Sequence, residues 1–144
     1  MIYGVQATFK VGEKLIPIVF DVAHTPAELL TGVRGREEPE EGSGLLLYPP
    51  PRQVGLSLWM RGVPFDMDVL FLYGTPESGW VVQEIHPLVA YDETSITATK
   101  ANNAALEVKS GFGALITPGS VLQINEASVR ETVSALHQTS PVAY

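Results

Sequence analysis

The chain contains no cysteine. Disulfides and thiolate metal sites are therefore excluded, and cysteine usage says nothing about redox compartment. Histidine is scarce. His24, His86 and His137 fall in three separate segments without ligand spacing, so no metal site is expected. Basic residues are also few: nine Lys and Arg stand against sixteen Asp and Glu, for a formal net charge of −7. Phosphate backbones and anionic membrane surfaces both require a positive footprint, so neither nucleic acid nor membrane is expected as a partner. No apolar run approaches the roughly 18 residues of a membrane span. The opening MIYGVQATFKVGEKLIPIVF has no basic n-region, and Lys10, Glu13 and Lys14 interrupt any h-region. No signal peptide is expected, which leaves the cytoplasm or a virion as the expected location. No phosphate loop or nucleophile elbow is present, and no cofactor is expected.

What is present is a globular chain of 144 residues, 45% apolar and 17% charged, the size of one ordinary domain. Thirteen Gly and eleven Pro cut it into short pieces, as in a β-rich domain. Met1 to Lys10 and Leu15 to Val22 read as a hairpin around Val-Gly-Glu-Lys. A short helix starts after Thr25, with Pro26 at its first position and Glu28 completing a capping box, and ends at Gly32 or Gly35. Arg36 to Gly44 is a charged loop whose glutamates form a solvated face. Leu45–Tyr48 reads as a strand, and Pro49-Pro50-Pro51 as a stiff extended connector ahead of Arg52. Further strands are expected at Val54–Met60, Met67–Tyr73, Trp80–Ile85, Ala104–Lys109 and Val121–Ile124. Turns are expected at Thr75–Gly79, Gly111–Gly113 and Thr117–Ser120. Glu126 to Gln138 is different: Val129, Val133 and Leu136 make a narrow apolar stripe on a helix that Asn125 can cap. The chain divides on this reading into a β-rich domain over residues 1–125 and a helical tail over 126–144.

The order of motifs resembles the family catalogued as domain of unknown function 192. Its members read roughly G-L-M-x-R, then G-M-L-F-x-F-P, then F-W-M-K-N-T-x-x-P-L-D, then L-E-x-x-A-G and a late G-D. The matching positions here are Gly32 and Arg36; Gly44, Leu45, Leu46 and Pro49; Leu58, Trp59, Met60, Arg61 and Asp68; Leu106, Glu107 and Gly111; and Gly119. The block Trp-Met-basic followed by Asp is the most specific part. Gly62 and Val63 replace the family's Asn-Thr, Asp66 its Pro and Ser120 its late Asp. The resemblance spans about Val19 to Ile124. It implies a mainly β, compact sandwich or barrel-like single domain with a short helix near its start, and no assigned activity.

The segment Leu58–Val69, LWMRGVPFDMDV, concentrates the candidate chemistry. If Gly62 to Phe65 reverse the chain between two strands, Asp66 and Asp68 share a face and can meet Arg61. One reading is a carboxylate pair for acid–base work or a divalent cation. The other, ranked first, is an Arg–Asp clamp that fixes the hairpin. Trp59 and Met60 offer either a stacking platform or core packing. Two functions follow. The first is a non-enzymatic interaction or assembly module, including a component of a particle such as a virion. Its partners would be other protein chains or further copies of this one, and Val129, Val133 and Leu136 would contact either the chain's own domain or a partner. The second is a small-molecule-binding, glycan-binding or hydrolytic domain centred on Trp59, Arg61, Asp66 and Asp68.

Overall fold

The computed structural model describes residues 1–50 and 55–138, without the side chains of the last two. The expectations for Pro51, Arg52, Val54 and residues 139–144 lie outside these. Nine strands run in chain order: β1 (Ile2–Val11), β2 (Lys14–Ala23), β3 (Ser43–Leu47), β4 (Ser57–Leu58), β5 (Met67–Thr75), β6 (Gly79–Leu88), β7 (Ile96–Thr97), β8 (Ala104–Lys109) and β9 (Val121–Ile124). Helix α1 covers Pro26–Thr31 and α2 covers Glu126–Gln138. Seven strands close into a barrel in the order β1-β2-β3-β8-β5-β6-β9, with β1 pairing β9, while β4 and β7 form a separate two-stranded sheet. The fold is mainly β and barrel-like, as the sequence indicates.

Alternation builds the barrel interior. Val5, Ala7 and Phe9 of β1 meet Ile18, Phe20 and Val22 of β2, with Leu46, Leu70, Leu72, Leu106 and Val108 opposite. Every pairing is antiparallel except β2 with β3, which run parallel. A parallel neighbour requires a crossover, and the crossover from Ala23 to Ser43 contains α1. The helix starts as its sequence dictates. The Thr25 side chain accepts from the Glu28 N–H, and the Glu28 carboxylate accepts from the Thr25 N–H at 3.3 Å.

Three neighbouring strands are apolar on both faces. Leu45 and Leu47 of β3, Met67, Val69 and Phe71 of β5, and Ala105 of β8 point away from the interior, yet they are buried. A second apolar layer covers them, supplied by Val33, Leu56, Leu58, Met60, Val63 and Leu88. This double burial explains the near-continuous apolar run of β8, AALEV, which is buried at every position. Gly44 is required where β3 passes β8, because a Cβ there would lie 2.5 Å from the Glu107 carbonyl oxygen.

Several local expectations are corrected. Among the described residues only Ser57 and Leu58 of the segment ending at Met60 are strand, and they pair with Thr97 and Ile96. Strand β7 has no strong sequence signal. The corner at 58–69 is not a hairpin. It closes on itself through Val63 N–H to Met60 C=O, and its flanks bond residues 91 and 92 instead of each other. Leu58, Met60 and Val63 go beneath it as outer core, which holds the segment flat on the barrel. Gly111 leads into a 3₁₀ turn, Phe112–Leu115, where only a turn was expected. Helix α2 has the expected bounds, and Val129 and Leu136 pack against the barrel core. Val133 is half-buried. Two of the three stripe residues thus meet the chain's own barrel.

Candidate functional site

The outer layer leaves two clefts that share one floor. The first, of about 200 Å³, lies between the C-terminal end of α1 and the Ser57–Trp59 segment. The second, of about 210 Å³, lies beside Asp21, Arg36 and Gly44. Val33 and Glu107 line both. Glu107 stands on β8 between Leu45 of β3 and Val69 of β5, so its side chain projects into the outer apolar layer. It is 4% exposed. Among the described residues its carboxyl has no hydrogen-bond or ion-pair partner, whereas the buried amide of Asn102 is bonded through both Oδ1 and Nδ2. Burial without a partner disfavours the ionised form and pushes the carboxyl up to about 7.

The rim of the first cleft is cationic and aromatic. Trp59 is 48% exposed, and the Arg61 guanidinium lies 5.4 Å from its ring centroid. Arg61 Nε also stands 3.4 Å from a Glu93 carboxylate oxygen, an exposed pair. Arg34 also lines the cleft, its aliphatic stem beside Gly62, and donates to the last carbonyls of α1, Leu30 and Thr31, at a helix end that attracts cations. Leu29, Leu47, Leu58 and Val63 supply aliphatic walls. Three contacts hold Trp59 in place. Leu56 N–H donates to buried Asn102 Oδ1 at 2.9 Å, Ser57 Oγ meets Thr97 Oγ1 at 2.6 Å, and Met60 N–H donates to Asp92 C=O at 2.8 Å. In the second cleft, Arg36 Nη2 pairs with Asp21 Oδ2 at 2.6 Å.

The sequence-derived site separates into two parts. Trp59 and Arg61 meet as adjacent rim residues. Asp66 and Asp68 do not join them, and neither pairs with Arg61. The Arg–Asp clamp is therefore overturned, because the corner it presumed is not a hairpin. Asp66 is exposed, and its Oδ1 accepts from Ala90 N–H at 2.8 Å. Asp68 sits at the barrel end, where Oδ2 accepts from both Gly111 and Gly113 N–H at 2.9 Å. It holds the entry to the 3₁₀ turn. A Cβ on Gly113 would stand 2.9 Å from that same oxygen, so the contact depends on glycine. Met60 is core, at 2% exposure. The described residues contain no group of three or more His, Cys, Asp or Glu able to hold a metal ion. No helix among them is long and apolar enough to cross a membrane.

Glu107 was not singled out as a site residue from sequence. The available signal was a lone carboxylate inside the apolar run AALEV, on a strand with both faces covered. Residues that carry the family resemblance gather around it. Gly32, Leu58, Trp59 and Arg61 line the first cleft, and Arg36, Gly44 and Leu45 line the second.

Two solved structures share the architecture. One is a protein of unknown function from Novosphingobium aromaticivorans, with 26% identity and a TM-score of 0.73, covering 84% of this chain and 85% of that one. The other, from Sinorhizobium meliloti, is described as a proposed transcription regulator. It has 19% identity and a TM-score of 0.72 over 85% of this chain and 95% of that one, a likeness of fold alone. No curated protein matches. The family model DUF192, "Uncharacterized ACR", matches residues 7–124. The chain belongs to the domain of unknown function 192 family.

Proposed function

We propose that this domain is a binding module for a small polar ligand, held in the cleft between α1 and Trp59. One observation carries the reading: a buried carboxyl with no partner among the described residues forms the floor of an open cleft. A carboxyl on a buried residue that opens to a cleft is placed to be completed by what enters the cleft. A ligand would complete the hydrogen bonding of Glu107. The surroundings suit recognition, with aliphatic walls and a few polar groups at defined positions. The volume, below the roughly 300 Å³ of drug-sized pockets, restricts the occupant to a small molecule or one end of a larger one. The assembly-module reading, with a virion component as one form of it, ranks second because Val129 and Leu136 of α2 already pack on the barrel.

Amide-detected NMR with a mixed library of small acids, amines, amides and sugars tests this reading. Shift changes should cluster at Gly32, Val33, Glu107 and the Trp59 indole. Changes that cluster elsewhere, or no change at millimolar ligand, would refute it.

A further inference from the structure

The cleft is asymmetric in charge, and the asymmetry specifies a class of ligand. At the floor is one acid, Glu107, shielded by apolar side chains. Lining the same cleft are two arginines, Arg34 and Arg61, from two different segments, the Arg34 stem beside Gly62. Between floor and mouth the walls are aliphatic. Resting on the reading of this cleft as a ligand site, we propose that it takes a small zwitterion, a free α-amino acid with an aliphatic side chain. The ammonium would meet Glu107, the carboxylate would meet the guanidiniums, and the side chain would lie against Leu47, Leu58 and Val63.

Each end of the ligand answers a feature of the cleft. An ammonium supplies the opposite charge that Glu107 lacks among the described residues, and a buried carboxylate needs such a partner. A simple cation is less suited, because it would pass two guanidiniums on entry. A simple anion is less suited too, because nothing in it would neutralise the floor. Arginine is also the side chain best shaped to receive a carboxylate in paired hydrogen bonds. Neither rim arginine is committed to a buried pair. Arg61 shares an exposed contact with Glu93, and Arg34 donates to backbone carbonyls.

The site also predicts a pH dependence. Glu107 must be ionised to hold an ammonium, and its carboxyl retains its proton up to about pH 7. The charged groups facing it are Arg34 and Arg61 across the first cleft, and Arg36, Asp21 and Glu37 across the second. The Asp21–Arg36 pair is internally neutral and exposed Glu93 partly offsets Arg61, so Arg34, the remainder of Arg61 and Glu37 set the local field. Leucine should bind about tenfold more weakly near pH 6 than near pH 8, following the ionised fraction of Glu107.

Three isosteric probes separate the contributions: L-leucine, 4-methylpentanoate without the ammonium, and isopentylamine without the carboxylate. NMR titration of the full chain should give leucine at least about tenfold tighter binding than either analogue. At pH 8 Glu107→Gln should weaken leucine and isopentylamine but tighten 4-methylpentanoate, whose carboxylate no longer faces an ionised floor. If that variant does not fold, the three-probe series and the pH series on the parent protein still decide. Leucine binding no tighter than the analogues, or absent, overturns the assignment. If library compounds nevertheless shift the cleft resonances, the site stands and only its ligand class is wrong.

Discussion

Glu107 makes stability depend on pH in a direction opposite to most carboxylates. Its proton leaves near the ordinary 4.5 in the unfolded chain and near 7 in the fold. Between those values the folded state binds more protons, so its stability falls as pH rises and stays lower above about 7. The full difference is about 3 kcal/mol. Glu107→Gln should abolish this slope. Denaturant melts across the pH range should show the variant matching the parent below about pH 4.5 and exceeding it by roughly 2–3 kcal/mol near pH 8. Asp68 is a structural residue. Asp68→Ala leaves the Gly111 and Gly113 N–H groups without their acceptor and should cost about 1–3 kcal/mol, whereas Asp68→Asn keeps one acceptor oxygen and should cost less. A thermal melt of both variants checks the order. The two carboxylates at 66 and 68 were visible in the sequence as an i, i+2 pair. Their partners were not, because backbone amides 24 to 45 residues away leave no local trace.

Helix α1 was legible almost to the residue, since its start depends on Thr25, Pro26 and Glu28, all within one turn. Glu28 has a further role. Desolvation raises its carboxyl, but hydrogen bonds from the Met1 ammonium and the His24 and Thr25 N–H groups prevail and bring it to about 2. The sign is therefore the usual one for an acid: the stabilisation is present above about 4.5 and is lost as pH falls toward 2. Glu28→Gln should lower the melting temperature at neutral pH, with the gap narrowing below about pH 4.5. Helix α2 was equally legible, from the spacing of Val129, Val133 and Leu136. What that stripe covers was not, because amphipathicity gives a face and not its partner. Val129→Ala and Leu136→Ala should each destabilise by about 1 kcal/mol, since both side chains are only partly buried against the barrel. Unchanged melts would mean that the stripe faces something else. Strand β7, two residues long and paired among the described residues with β4 alone, has no alternation to read.

At the scale of the molecule, the fold is a barrel with one region of its wall covered by a second apolar layer. The inner core follows from alternation in β1 and β2. The outer layer is legible only as strands apolar on both faces, a pattern the sequence shows without saying which segment covers it. Segments 29–34 and 56–63 provide that cover, and the cleft is the gap between them. The site was half legible for this reason. Trp59 and Arg61 stand on a covering segment and were found. Glu107 belongs to the wall beneath, more than 40 residues later in the chain, and was brought to them by the fold. That carboxyl is buried, faces the cleft and has no partner among the described residues. Titrating the ¹³C carboxyl resonance of Glu107 in the ligand-free protein tests it directly. A midpoint at about 7 is expected. A midpoint at the ordinary 4.5 would contradict it, showing a carboxylate already solvated or paired.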